Sequence, residues 1–571
     1  MLTLFIPCFL SATHSAIGRD IMGLEDKWHK NETIYSMDVE TFYDSDGDGV
    51  GDFQGLIDRL GYLSRLGVSC IWLLPFYETP NLDNGYDVAD YYQVDSRLGT
   101  LGDFVEFTHE ARARGIRVII DMVVNHTSDQ HPWFQAARRD PDSPYRDYYV
   151  WTDEPAQAPD KGTVFPGEEE DVWEYDEVAE AYYYHRFYRF QPDLNLRNPD
   201  VREEIRKILG FWLELGVSGF RVDAATLMID QKGDLPPLEE PHSVLKEMKS
   251  FVRSREGDAV LLAEADDAPD ELETYFGEDG DEMDLLLNFV LNAHLTHALA
   301  REEANPLVAG LERLPDVSGT GRWANFLRNY DELNVGRLSD GARAEVFEIF
   351  GPEERMRIYG RGLRRRLAPM LEGNPDRIEL AYSLLFALPG TPIVVSGDEI
   401  GMGEDLSLPG RNAVRTPLHW SDDPNAGFSS GDPDDLVRGV IDEGPFSYEQ
   451  VNVAAQRAEQ NSLLDRMGRL IGTREECPSL GWGAHTVLAT DSDSVFANRY
   501  DWEENTVVIV HNLAAEERTV SLDLGDPDDP IHRLVGAGEH ARREDGRVAV
   551  ELGGYEYCWL RVGEEHATRH W

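Results

Sequence analysis

The sequence predicts an α/β protein built on a closed (β/α)8 barrel, with a small domain inserted after the third strand and an antiparallel β-sandwich at the C-terminus. Three observations predict this. From about residue 34 to 400, short β-branched or aromatic runs alternate with amphipathic helical stretches, the rhythm of a parallel sheet with crossover helices. One connection, from Val124 to the helix near Val201, is too long for a structureless loop and is rich in Asp, Pro, Tyr and Trp. After residue 476 the pattern changes to alternating strands such as SVFANRYDW, TVVIVHNL and RVAVEL, separated by turn residues.

The strand candidates in order are 33–42, 70–74, 117–124, 219–223, 260–264, 285–289, 323–329 and 392–397. Eight is the count that a closed barrel requires. Four of these runs carry a polar or acidic residue toward their C-terminal ends: Asp121, Asp223, Glu264 and Asn329. In such barrels that end carries the chemistry. The expected division is an extension at 1–22, the barrel at 23–125 and 200–475, the inserted domain at 126–199 and the sandwich at 476–571.

Among the 571 residues, 107 Asp and Glu against 53 Lys and Arg give a formal charge of −54. At low salt such self-repulsion destabilises a compact chain. At ~1 M salt the Debye length falls to about 3 Å and screens it. The acid is spread along the whole chain, so the expectation is adaptation to a salt-rich, halophilic cytoplasm. Nucleic acid and anionic membrane surfaces are excluded as partners. Cys8, Cys70, Cys477 and Cys558 stand alone, without metal or disulfide spacing. The first residues form an apolar run with no basic flank, too short to span a membrane. The folded chain is therefore expected to start near Met22 and to be cytoplasmic.

Cleaving a glycosidic bond with retention needs two carboxyl groups ~5–5.5 Å apart. Adjacent barrel strands are about 4.8 Å apart. Asp223 and Glu264 end neighbouring strands and meet that spacing. Arg221, two residues before Asp223, shares its face and favours its ionised form. Glu264 lies in the apolar run LLAEA, where desolvation raises its pKa and suits it to act as the acid.

DMVVNH (121–126), GFRVD (219–223), AEA (263–265) and NYD (329–331) resemble the four short regions of glycoside hydrolase family 13, the α-amylase superfamily. QPDLN (191–195) is similar to a further motif of its oligo-1,6-glucosidase and trehalose synthase branch. Segments 128–139, 182–195, 360–371 and 390–420 look most like the trehalose synthases of that branch. The resemblance implies Asp223 as nucleophile, Glu264 as acid/base and Asp331 as the group gripping ring hydroxyls in the transition state. It implies a glucose pocket lined by Asp83, Tyr86, His126, Arg221, Tyr330 and Arg415. Tyr330 stands where the family carries histidine, and Ala224 favours α-1,4 or α,α-1,1 linkages. The implied activity is maltose/trehalose interconversion. An α-glucosidase or amylase acting on short malto-oligosaccharides and a catalytically weak sugar- or partner-binding homologue stay open beside it.

DSDGDGVGD (44–52) alternates Asp44, Asp46, Asp48 and Asp52, with a carbonyl from Val50, a set suited to Ca²⁺. Residue 55 is Gly where an EF-hand requires Glu, so the loop instead resembles the calcium loop of the family. A structural ion is expected here, with Asn125 and Asp193 as a second candidate cation site. No organic cofactor is expected.

Overall fold

The computed structural model describes residues 27–155, 162–315, 317, 321–525, 528–542 and 546–563. The extension at 1–22, with Cys8, lies outside the described residues.

The barrel strands are β1 (Ile34–Met37), β2 (Cys70–Leu73), β3 (Arg117–Met122), β4 (Gly219–Val222), β5 (Val260–Ala263), β6 (Leu285–Leu287), β7 (Arg322–Phe326) and β8 (Thr391–Val395). They close in the order β1-β8-β7-β6-β5-β4-β3-β2, with every neighbour parallel. Alternate residues divide between two cores, as the two-residue strand period requires. Ile34, Cys70, Trp72, Ile119, Val260, Leu262, Leu285 and Ile393 fill the barrel interior. Tyr35, Ile71, Val118, Phe220, Leu261, Leu286 and Val394 pack outward against the helices. Trp28 plugs the lower end, its indole donating to the Asp258 carbonyl at 2.8 Å.

Strand β1 is shorter than the run 33–42 suggests. The Asp38 side chain accepts from Glu40 N and turns the chain into a single 3-10 turn at Val39–Thr41. That turn starts the excursion carrying the acidic loop, which ends where Asp52 caps helix α1 (Phe53–Leu66) by accepting from Gly55 N.

The inserted domain is a short helix, Pro132–Arg139, and a three-stranded antiparallel sheet of Trp151–Thr152, Ala181–Tyr184 and Trp173–Asp176. Trp173 packs with Val150, Val172 and Tyr184, and Trp151 stacks on Phe134 at 5.5 Å. These tryptophans build the small core. A sandwich of five- and three-stranded sheets follows the barrel. It is fixed to helix α2 (Pro375–Ala387), whose last carbonyls lack intrahelical partners. Asn498 and Tyr500 donate to the Ala387 carbonyl at 2.6 and 2.8 Å, and Arg474 bonds the carbonyls of Phe386 and Gly390. Among the described residues no helix is long and apolar enough to cross a membrane.

Candidate active site

At the C-terminal end of the barrel, a cavity of about 460 Å³ is lined by Asp223, Glu264 and Asp331 together with Asp83, Tyr86 and His126. Asp223 directly follows β4 and Glu264 directly follows β5, with Val222 and Ala263 paired in register. Gly219 starts β4 because a Cβ there would stand 2.3 Å from the Val260 carbonyl. Phe220 and Val222 point to the helices, so Arg221 and Asp223 share the inner face.

Arg221 is the hub. Its Nη1 donates to Asp121 Oδ1 at 2.7 Å and Asp223 Oδ1 at 2.6 Å, and its Nη2 to Glu264 Oε2 at 2.7 Å. Asp223 and Glu264 therefore bond the terminal nitrogens of one planar guanidinium, which keeps those oxygens within about 8 Å of each other. Ala224, next after Asp223, has φ 49°, a left-handed conformation costly for a non-glycine residue. Its amide donates to Glu264 Oε2 at 3.3 Å.

The three carboxylates are tuned apart. Burial raises Asp223 to about 6, with Arg221 opposing and Asp121 and Asp331 assisting. Burial also raises Glu264 to about 7, again against Arg221 and with help from Asp223 and Asp331. Arg221 favours the ionised form of Asp223, as the sequence suggests, but burial outweighs it. Asp331 goes the other way. Burial would raise it, but Arg411, Arg415 and Arg221 hold it at about 2. Burial, assisted by Lys232 and opposed by Asp193, lowers His126 to about 4 and leaves it a neutral imidazole.

Three residues expected to line the pocket lie outside its wall. Arg221 sits beneath the carboxylates. Arg415 sits behind Asp331, donating from Nη2 to Asp331 Oδ1 at 2.9 Å and from Nε to the Tyr330 carbonyl at 2.8 Å. Tyr330 turns away. Its ring packs between Leu74 and Val395, and its hydroxyl accepts from Asp38 N at 3.3 Å. A phenol reaches past the space of an imidazole and finds its partner at the C-terminal end of β1.

Other residues were missed by the sequence reading. Arg411 donates to Asp331 Oδ1 and, at 3.0 Å, to Asp83 Oδ1, closing one end of the cavity. Gln191, within the quoted QPDLN motif, donates to Asp83 Oδ2 at 3.0 Å. Arg361 bonds the Val164 carbonyl through both Nη atoms at 3.3 Å and Glu332 Oε1 at 3.1 Å. It thereby straps the inserted domain across the mouth, where Phe165 meets Tyr188 at 4.6 Å and Tyr359 at 5.4 Å. Arg411 and Arg361 stood in segments already quoted for their resemblance, the one available signal.

The second candidate cation site is corrected. Lys232 Nζ stands there, donating to the Asn125 carbonyl at 3.0 Å, Asn125 Oδ1 at 2.7 Å and Asp193 Oδ2 at 2.8 Å. In the acidic loop, carboxylate oxygens of Asp44, Asp46 and Asp48 lie within 4.8 Å of one another. Asp52 is drawn off, accepting from Ser45 N at 2.8 Å and Gly55 N at 2.7 Å, and the amide of Val50 donates to Asp48.

Residues 34–336 and 364–483 match the family described as alpha amylase, catalytic domain. The chain belongs to the α-amylase family. Residues 505–561 match the sucrose hydrolase-like C-terminal domain. The chain is 39% identical over 544 residues to the trehalose synthase/amylase TreS of Mycobacterium tuberculosis, covering 94% of this chain and 90% of that protein. It is 38% identical over 562 residues to the trehalose synthase of Pimelobacter sp., covering 96% and 98%. Among solved structures, the α-amylase of H. orenii superposes with a TM-score of 0.76 at 27% identity, covering 93% of this chain and 99% of that one. The trehalulose synthase MutB superposes at 0.75, also 27% identical, covering 94% and 100%. This α-amylase-family chain is an enzyme of the glycoside hydrolase and transglucosylase type, with trehalose synthases among its relatives.

Proposed function

We propose that the protein interconverts maltose and trehalose by intramolecular glucosyl transfer with retention. The observation that carries this reading is the narrowing of the cavity by two arginines of its lining, Arg411 and Arg361. Arg411, bridging Asp83 and Asp331, blocks extension past one glucosyl unit, and the Arg361 strap covers the mouth. Narrowing of this kind favours keeping the released glucose over admitting water, which transfer requires and hydrolysis does not.

Asp223 Oδ attacks the anomeric carbon while Glu264 gives its proton to the departing glycosidic oxygen, leaving a glucosyl ester and free glucose. The glucose turns within the pocket. Its anomeric hydroxyl passes a proton to Glu264 as its oxygen attacks the ester carbon, and Asp223 leaves as carboxylate. Asp331, ionised by its arginines, stabilises the positive charge that develops on the ring in both steps. Neutral His126 gives its one N–H, on Nε2, to the Tyr86 carbonyl at 3.1 Å and so holds the Tyr86 backbone at the pocket wall. The relatives named as trehalose synthases support the same choice.

The cluster Asp44, Asp46 and Asp48 fits a hard divalent cation such as Ca²⁺, which would neutralise a turn whose carboxylates otherwise repel. The charge of −54 supports a working environment rich in salt, and a cytoplasmic location goes with that reading.

Incubation with maltose in molar salt, with products assigned by NMR, tests the function. Trehalose formed without incorporating labelled glucose from the medium is the expected result. Glucose as sole product would make the enzyme an α-glucosidase, and unchanged maltose would make it a binding homologue.

A further inference from the structure

A third arginine lies behind Asp331, outside the cavity. Arg438 is buried. Its Nη1 donates to the main-chain carbonyl of Arg415 at 3.1 Å, and its Nη2 bonds Glu40 Oε1 and Asn84 Oδ1. Arg415 is the residue whose side chain clamps Asp331. Asn84 adjoins Asp83 and is held at φ 48°. One guanidinium thus ties the Arg415 main chain to the Asn84 side chain, on the two sides of the Asp83–Arg411–Asp331 bridge.

The seat of Arg438 is itself stiff. Val437 N donates to the Gly49 carbonyl at 2.9 Å. Gly49, at φ 93°, lies so close to the next segment that a Cβ would stand 2.2 Å from the Asp435 carbonyl. Glu40 is met on its other oxygen by Arg97 at 3.3 Å and Asn81 at 3.4 Å, and Asp38 Oδ2 lies 3.8 Å from Arg438 Nη1.

We infer that Arg438 is a positioning residue for glucosyl transfer, holding Arg415 and Asn84 in register so that Asp331 and Asp83 face one sugar ring. This rests on the assignment of Asp331 to the donor-sugar site. A displacement of about 1 Å in such a group costs ~100-fold in rate. Because Asp331 acts most strongly in the transition state, the loss falls on kcat.

The test is steady-state turnover of 4-nitrophenyl α-glucoside by the full chain, alone and in an Asp331→Asn background. Arg438→Met should lower kcat ~30–100-fold with KM within about 3-fold. In the Asp331→Asn background its further cost should shrink to within about 3-fold, because the two residues act as one unit. Arg438→Lys keeps the charge against Glu40 and so the fold. It should lower kcat about 10-fold at an unchanged melting temperature. Equal cost in both backgrounds, or a loss confined to KM, overturns the positioning role while leaving the function intact. Absence of turnover by the unmodified enzyme overturns both.

Discussion

At the top of the barrel five carboxylates, Asp83, Asp121, Asp223, Glu264 and Asp331, share three arginines, Arg221, Arg411 and Arg415. On the same rim, Lys232 meets one carboxylate, Asp193, and two oxygens of Asn125. The first cluster carries surplus negative charge, so burial drives Asp223 to about 6 and Glu264 to about 7. The second is balanced, and its ammonium ties the end of β3 to the inserted domain. The difference teaches that buried charge is reactive where it is left uncompensated and structural where it is matched.

The comparison breaks first at Asp223, the proposed nucleophile. Asp223→Asn should lower kcat by ~10⁴-fold or more. Its melting temperature at pH 8 should equal or exceed the parent's, because a charge held against its preference is removed. A marked loss of stability would mean that this cluster, too, is structural. Lys232→Met should do the reverse. Leaving Asp193 buried without its partner costs about 3–5 kcal/mol, read from the denaturation midpoint, and an unchanged midpoint would sink the balanced reading.

The pH dependence sharpens the contrast. Turnover should fall below about 6 as Asp223 is protonated and above about 7 as Glu264 loses its proton. Glu264→Gln should abolish the alkaline limb in whatever activity persists. For stability the sign is opposite for the two kinds of carboxylate. Asp223 and Glu264 are raised in the fold, so their contribution is present below about pH 4 and is lost as pH rises through 6 to 7. Asp331 is depressed, so its contribution is present above about 3.8 and is lost as pH falls through about 2. The smallest effect concerns the strap. Arg361→Met removes an ion pair and two hydrogen bonds, about 1–2 kcal/mol of closure. The ratio of glucose to trehalose formed from maltose should rise several-fold, and an unchanged ratio would remove the strap from the mechanism.

The sequence by itself determined the barrel and the placing of Asp223 and Glu264 at neighbouring strand ends. Eight short β-branched or aromatic runs set between helical stretches are local information, and a carboxylate at the end of a parallel strand is delivered to the same rim as its neighbour's whatever the loops do. What only the tertiary structure decided depends on partners remote in the chain. Arg411 meets Asp83 across 328 positions and Lys232 meets Asn125 across 107, and in a chain this acidic a lone basic residue looks alike wherever it stands. The outward turn of Tyr330 was equally hidden, because the space at the end of β1 that accepts a phenol exists only once the barrel has closed.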